Sequence, residues 1–344
     1  MSIALVETVA VAERTWPFIG EAAALLAAFF WAAATLMFGR LGRELSPIML
    51  NLIKGMFAIT FLAVTLGIQT RLSGNLPQMP QGAWLPLLLS GAVGIGIGDT
   101  AYFSAINSLG ARRALLLETL APPMAAVLAW LFLAEQLSVR SLLGIVITLV
   151  GVAWVISERV PGTPKQVTAA GVRVAILATF CQASGAVLSR AALADTEVSP
   201  LWSSLLRLFA GLVLMGAVAY LRPRLLENPL IESPLSESPS TESPSKESSQ
   251  KSSQHRWYAE LSYLKSPRLL GAVALTSFFA TYLGIWLQQI SLKYTATGIA
   301  QALLATSPLF VLPMAAILGE GLSRRAVLGV IVALSGVWLL LSVA

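Results

Sequence analysis

The sequence predicts an all-helical polytopic membrane protein of ten transmembrane helices, arranged as two inverted five-helix repeats. Composition, recurring apolar segments and an internal repeat predict it. The 344-residue chain is 56% hydrophobic and 12% charged, with a mean hydropathy of +0.76, whereas a soluble domain carries about a quarter of its residues as Asp, Glu, Lys and Arg. Apolar stretches fall at roughly 18–39, 47–68, 84–108, 112–133, 139–157, 169–192, 200–221, 268–290, 295–318 and 323–343. Each is long enough to cross a hydrocarbon core of about 30 Å.

The remaining composition narrows the function. The net charge is +6, but basic residues stand singly or in pairs at span ends, with no basic stripe or DNA-binding motif, so a nucleic-acid partner is excluded. The chain has one cysteine, Cys181, and one histidine, His255. No disulfide framework, Cys/His metal site or nucleophile–histidine pair can be built in the membrane, and neither enzyme activity nor a cofactor is expected. The opening stretch MSIALVETVAVAERTW has acids and no basic region, so a cleaved signal peptide is not expected.

In chain order, Ser46-Pro47 and Ser199-Pro200 open the second and seventh spans, where a capping serine before proline at the first helical position is favourable. Arg40, Arg43, Arg112, Arg113, Arg159, Lys165, Arg324 and Arg325 collect on one face, against Arg14, Arg71, Arg140, Arg190 and Lys293 on the other. The positive-inside rule places the first face in the cytoplasm. Residues 224–256 repeat Ser-Pro and Glu, with Glu232, Glu237, Glu242 and Glu247 evenly spaced. Such a segment cannot bury a core and is expected to be a disordered linker.

The halves repeat in sequence. FFWAAATLMFGR, ending at Arg40, matches TFCQASGAVLSR, ending at Arg190, and each following Ser-Pro leads to a basic residue, Lys54 or Arg207. Further on, Pro123 aligns with Pro308, Glu135 with Glu320, Gly144 with Gly329 and Gly151 with Gly336 at one constant offset. The expected domains are 18–157 and 169–344, the second interrupted by the linker. An odd number of spans per half inverts the second copy, and inverted halves are a basis for alternating access around a midplane site.

LLETLAPPMAAVLAWLFLAEQLSVRSLLGIVITLVGVAW and its second copy ALLATSPLFVLPMAAILGEGLSRRAVLGVIVALSGVW resemble the EamA-type repeat of the drug/metabolite transporter superfamily. The resemblance covers nearly the whole chain apart from the linker. It implies a secondary transporter in a bacterial plasma membrane, exporting or exchanging a small polar or amphipathic metabolite. Related proteins are associated with amino acids, drugs, sugars and phosphorylated metabolites. The alternatives are a passive facilitator and a non-transporting scaffold or sensor that uses the linker.

Ionisable groups within a span cost about 2.5–3.5 kcal/mol each on insertion scales and usually face a cavity or a partner. Lys54 and Arg207, about two turns into their helices, are candidates to hold an anionic or zwitterionic substrate. Asp99 follows Gly91, Gly94, Gly96 and Gly98 and is a candidate partner of Lys54 or proton carrier. Glu118, one turn before Pro122-Pro123, is a second proton-coupling candidate, with Pro123 and Pro308 as gating positions because proline bends a helix. Trp31, Asn51, Tyr102, Gln182, Trp286 and Gln301 are candidate pocket walls, and Asn107, Ser184, Gln288 and Gln289 further polar lining. Trp84, Trp154, Trp202 and Trp338 are expected as interfacial anchors. Glu135 is expected to cap or pair with Arg140, and Glu320 with Arg325. Gly144 with Gly151, and Gly329 with Gly336, mark a packing seam within or between chains. One chain holds both halves, so no second copy is required; lipid and a small-molecule substrate are the expected partners.

Overall fold

The computed structural model describes residues 17–41, 47–75, 77–157, 168–226, 267–317 and 324–342. Among them the chain is all-helical: α1 (Ile19–Leu41), α2 (Pro47–Ser73), α3 (Gln81–Ser90), a π-helix π1 (Gly91–Asp99), α4 (Thr100–Leu109), α5 (Ala111–Glu118), α6 (Ala121–Leu133), α7 (Val139–Ser157), α8 (Ala169–Leu193), α9 (Pro200–Leu226), α10 (Pro267–Thr276), π2 (Ser277–Leu283), α11 (Gly284–Tyr294), α12 (Thr297–Leu304), α13 (Ser307–Ile317) and α14 (Arg324–Leu341). Nine helices among the described residues are long and apolar enough to cross a membrane, and Ile19–Ala34 is a shorter apolar stretch. The protein is therefore a polytopic membrane protein. Ser46, Arg43, Arg159, Lys165, Glu320, almost all of the 224–256 segment and the side chains of Arg40, Asn107 and Arg112 lie outside the described residues.

Helices suit this environment because every backbone polar group must be satisfied without water. Lipid-facing positions accordingly carry large apolar side chains, such as Phe132, Val146, Ile331 and Trp338. The interior is built largely from alanine, with Ala24, Ala27, Ala28, Ala58, Ala105 and Ala125 fully buried. Small residues let backbones approach where no hydrophobic effect drives helices together.

The fourth apolar stretch is broken rather than bent. Pro122 and Pro123 open α6 after a turn at Thr119–Leu120, and Pro308 sits at the start of α13 after a turn at Ala305–Thr306. A proline has no N–H for the carbonyl four residues back, so the ladder stops and restarts, with Met124 N–H donating to Leu120 O at 3.1 Å.

The π turns carry the packing. π1 packs against α8 and α9, while π2 packs against α1 and α2. Each lies in a long helix, Gln81–Leu109 or Pro267–Tyr294, at positions related by the offset that pairs Pro123 with Pro308. The glycine seam runs within one chain, between α7 and α14. A Cβ on Gly151 would lie 2.3 Å from Ala333 N, and one on Gly336 2.4 Å from Thr148 N. Trp84, Trp154 and Trp338 are exposed, whereas the Trp202 indole donates to Pro77 O at 3.1 Å, tying the segment before α3 to α9.

Candidate functional site

Four ionisable side chains gather within the apolar spans, where an isolated charge would be costly. Lys54 comes from α2, Asp99 from the end of π1, Glu118 from the end of α5 and Arg207 from α9. Asp99 lies within electrostatic reach of Lys54, Arg207 and Glu118. Its Oδ1 accepts a hydrogen bond from Gln182 Nε2 of α8 at 3.0 Å. Glu118 and the Tyr102 hydroxyl face each other within interaction range. The structure brings Lys54, Arg207, Asp99, Glu118, Gln182 and Tyr102 together in one cluster.

Glycine makes the cluster possible. A Cβ on Gly91 would lie 2.0 Å from Arg207 O, so π1 and α9 touch backbone to backbone. The Arg207 guanidinium then reaches over Gly94, where Nη2 lies 3.6 Å from the position of an added Cβ. Arg207 is only 3% exposed. Its Nη1 makes a long 3.5 Å bond to Gln288 Oε1, and its Nε has no protein acceptor. Asn51 is 6% exposed and its Nδ2 likewise has no acceptor. Buried donors without acceptors are expensive, and a ligand carrying oxygens would satisfy them. Lys54, Asp99, Tyr102, Glu118 and Gln182 retain partial exposure, as expected of residues lining a cavity rather than a dry core.

Trp31 forms a wall of another kind. Its Nε1 donates to Ala280 O at 2.8 Å, and it occupies the place a side chain on residue 284 would take: a Cβ on Gly284 would lie 2.4 Å from Nε1. Beside it, Ser277 Oγ donates to Lys54 O at 2.5 Å, fixing the backbone of the lysine. Trp286 packs on Tyr282, ring centroids 5.9 Å apart, in an apolar cluster with Ala58, Leu62 and Leu208. Gln301 is buried in α12 with its Nε2 lacking an acceptor. It belongs to the packing of that helix, whose neighbouring Ala300, Ala302 and Leu303 fill two apolar clusters. Gln289 accepts from Ser203 Oγ at 2.7 Å.

Other polar contacts escaped the sequence reading. Glu135 pairs with Arg190 of α8 at 2.7 Å, not with Arg140. The connection after α6 carries the carboxylate across to α8 instead of along to its own next helix. Glu21 accepts from Thr295 Oγ1 at 3.0 Å, and Ser90 Oγ shares a hydrogen bond with Ser189 Oγ at 2.9 Å. The repeat had marked Glu135 and Arg190 separately; nothing local in sequence joins them.

A family model described as the EamA-like transporter family matches residues 18–157 and 249–342. No curated protein matches the chain. A solved crystal structure superposes with a TM-score of 0.66 at 15% identity, covering 94% of this chain and 97% of the other. At that identity the likeness is one of fold.

Proposed function

Because the chain belongs to the EamA-like transporter family, we propose that it is a secondary transporter. It exports or exchanges a small anionic or zwitterionic metabolite across a bacterial plasma membrane. The single observation that carries the reading is the charged cluster, to which Lys54, Asp99 and Glu118 come from one half of the chain and Arg207 and Gln182 from the other. A site shared between halves is one that relative movement of the halves can expose to either side. Ten spans in two inverted repeats, 18–157 and 169–344, give that movement its symmetry. The paired π turns and the paired breaks before Pro122-Pro123 and Pro308 support the arrangement.

Substrate oxygens meet Arg207, Asn51 and Lys54; a cationic group on a zwitterion meets Asp99 or Glu118. The same carboxyls are the candidates to carry a proton in exchange, since a carboxyl beside two cations changes its proton affinity when substrate arrives between them. Trp31 and Tyr102 are wall residues, and the breaks at Pro123 and Pro308 are hinge candidates.

The test is efflux from proteoliposomes loaded with a mixed pool of amino acids, sugars, organic acids, phosphorylated metabolites and drugs, read by mass spectrometry. One class should leave selectively, and Lys54→Ala and Arg207→Ala should suppress its loss. Absence of selective loss from folded protein present in both orientations would overturn the transport reading. Flux insensitive to an imposed pH gradient, and unchanged by Asp99→Asn and Glu118→Gln, would remove proton coupling.

A further inference from the structure

We infer that the Glu135–Arg190 ion pair is the closed gate at one end of the substrate path, an inference that rests on the transport reading above. Glu135 lies just beyond α6, which ends at Leu133 and is followed by Ala134 in a left-handed conformation with φ 54°. One carboxylate oxygen, Oε1, accepts from Arg190 Nε at 2.7 Å. The other, Oε2, accepts from the N–H of Thr297, the first residue of α12, at 2.9 Å. Arg190 Nη1 in turn donates to Leu292 O at 2.9 Å and Lys293 O at 2.6 Å, near the end of α11. A carboxylate thus caps the start of one helix and a guanidinium the end of another, each charge matched to its helix dipole. With Glu21 of α1 holding Thr295 and Lys293 Nζ donating to Val198 O at 3.0 Å, the Thr295–Ala296 turn is gripped from several sides.

Position makes this clamp a gate rather than a brace. Gln288, which meets Arg207, precedes Leu292 by one turn of α11, so the clamp lies about 6 Å further along the helix axis. Between the two levels Gln289 meets Ser203, yet Gln289 Nε2, though fully buried, has no partner. Ser291 Oγ and Thr297 Oγ1 are also fully buried without partners. Polar groups left unmatched beside the clamp are costly in a permanently dry core. They are satisfied if another conformation admits water and substrate there. Glu135 and Arg190 are 14% and 16% exposed, so the pair stands where that water would enter. Loss of one ion pair and two helix caps together is the kind of discrete rearrangement that separates two packed states.

The experiment uses a single reporter cysteine, Ser203→Cys, in a Cys181→Ala background that removes the chain's one native cysteine. A membrane-impermeant maleimide is applied to each face of the reconstituted protein in turn. Glu135→Gln keeps an amide oxygen for Thr297 N–H and removes the charge. It should speed labelling at least fivefold from one face only, with Arg190→Lys intermediate. Rates within twofold of the unmutated clamp, at an unchanged thermal midpoint, would overturn the gate; so would equal acceleration from both faces. Flux measured in the same vesicles separates the two readings. Flux with no labelling change removes the gate and leaves transport standing, whereas one-faced acceleration without flux from any pool keeps the clamp and removes transport.

Discussion

The helices Gln81–Leu109 and Pro267–Tyr294 share a plan and differ in chemistry. Both break from α to π geometry at matching positions. The offset that pairs Pro123 with Pro308 also pairs Asp99 with Gly284. In the first helix the π turn is GAVGIGIGD, bare enough for α8 and α9 to meet its backbone, and it delivers a carboxylate. In the second it is SFFATYL, whose rings pack on Phe61 and Phe30 at centroid distances of 5.5 and 5.4 Å, followed by a glycine that admits Trp31. A π turn inserts one residue and releases a carbonyl from its usual partner; Ala280 O shows the use, accepting from the Trp31 indole. One backbone solution, repeated, has yielded a charged wall on one side and an aromatic wall on the other.

The most damaging way to break the comparison is to make the glycine-built turn resemble its partner. Gly91→Ala drives a methyl group into the main chain of Arg207, 2.0 Å from its carbonyl oxygen. Backbone cannot yield as a side-chain tip can, so a loss of about 3 kcal/mol is expected, at the upper end for overpacking. Thermal unfolding in detergent should show a midpoint well below wild type, and an unshifted midpoint would contradict the backbone contact. Asp99→Asn comes next, acting on flux rather than stability. It keeps an acceptor for Gln182 and removes the charge facing Lys54 and Arg207. Flux of the selected substrate should fall about a hundredfold, equivalent to about 2.7 kcal/mol, with the melting midpoint little changed. Retained flux would take Asp99 out of the site.

Gly284→Ala sharpens the comparison from the other side. Its methyl group meets a side chain, Trp31 Nε1 at 2.4 Å, which must leave Ala280 O. The expected cost is about 1 kcal/mol, with a severalfold rise in KM. Trp31→Phe in the same background should recover most of the stability by shortening the ring, so the two changes should not add. Additive losses would show that Trp31 and Gly284 are not coupled.

The legible parts of the site share a physical cause. Charge within an apolar span is rare because it is expensive, so Lys54, Asp99, Glu118 and Arg207 stood out, and the repeat placed Lys54 and Arg207 at equivalent positions. The glycine run before Asp99 is plain in the sequence, but which helices meet its backbone is not. Faces were harder. Each π turn rotates everything beyond it by about one residue's share of a helical turn, about 100°. Trp286, a candidate pocket wall in the sequence, lies beyond π2 and packs on Tyr282 in an apolar cluster with Ala58 and Leu62. The partner of Glu135 was illegible for another reason. Arg140 lies nearby along the chain, whereas Arg190 is 55 residues away, and only the packing of α6 against α8 brings it close.

The smallest effect expected is also the most local. Ser277 Oγ donates to Lys54 O at 2.5 Å, whereas the first π turn spends its nearby hydroxyl on itself, Thr100 Oγ1 donating to Gly96 O at 2.7 Å. Ser277→Ala removes a bond between helices; Thr100→Val removes one within a single long helix. Interhelical hydrogen bonds in membranes average about 0.6 kcal/mol, so Ser277→Ala should lower the unfolding midpoint slightly and Thr100→Val still less. The Ser277 change should also loosen the lysine backbone and raise KM for an anionic substrate without altering its maximal flux. If both substitutions shift KM equally, the serine does not position Lys54, and the two π turns differ in their walls alone.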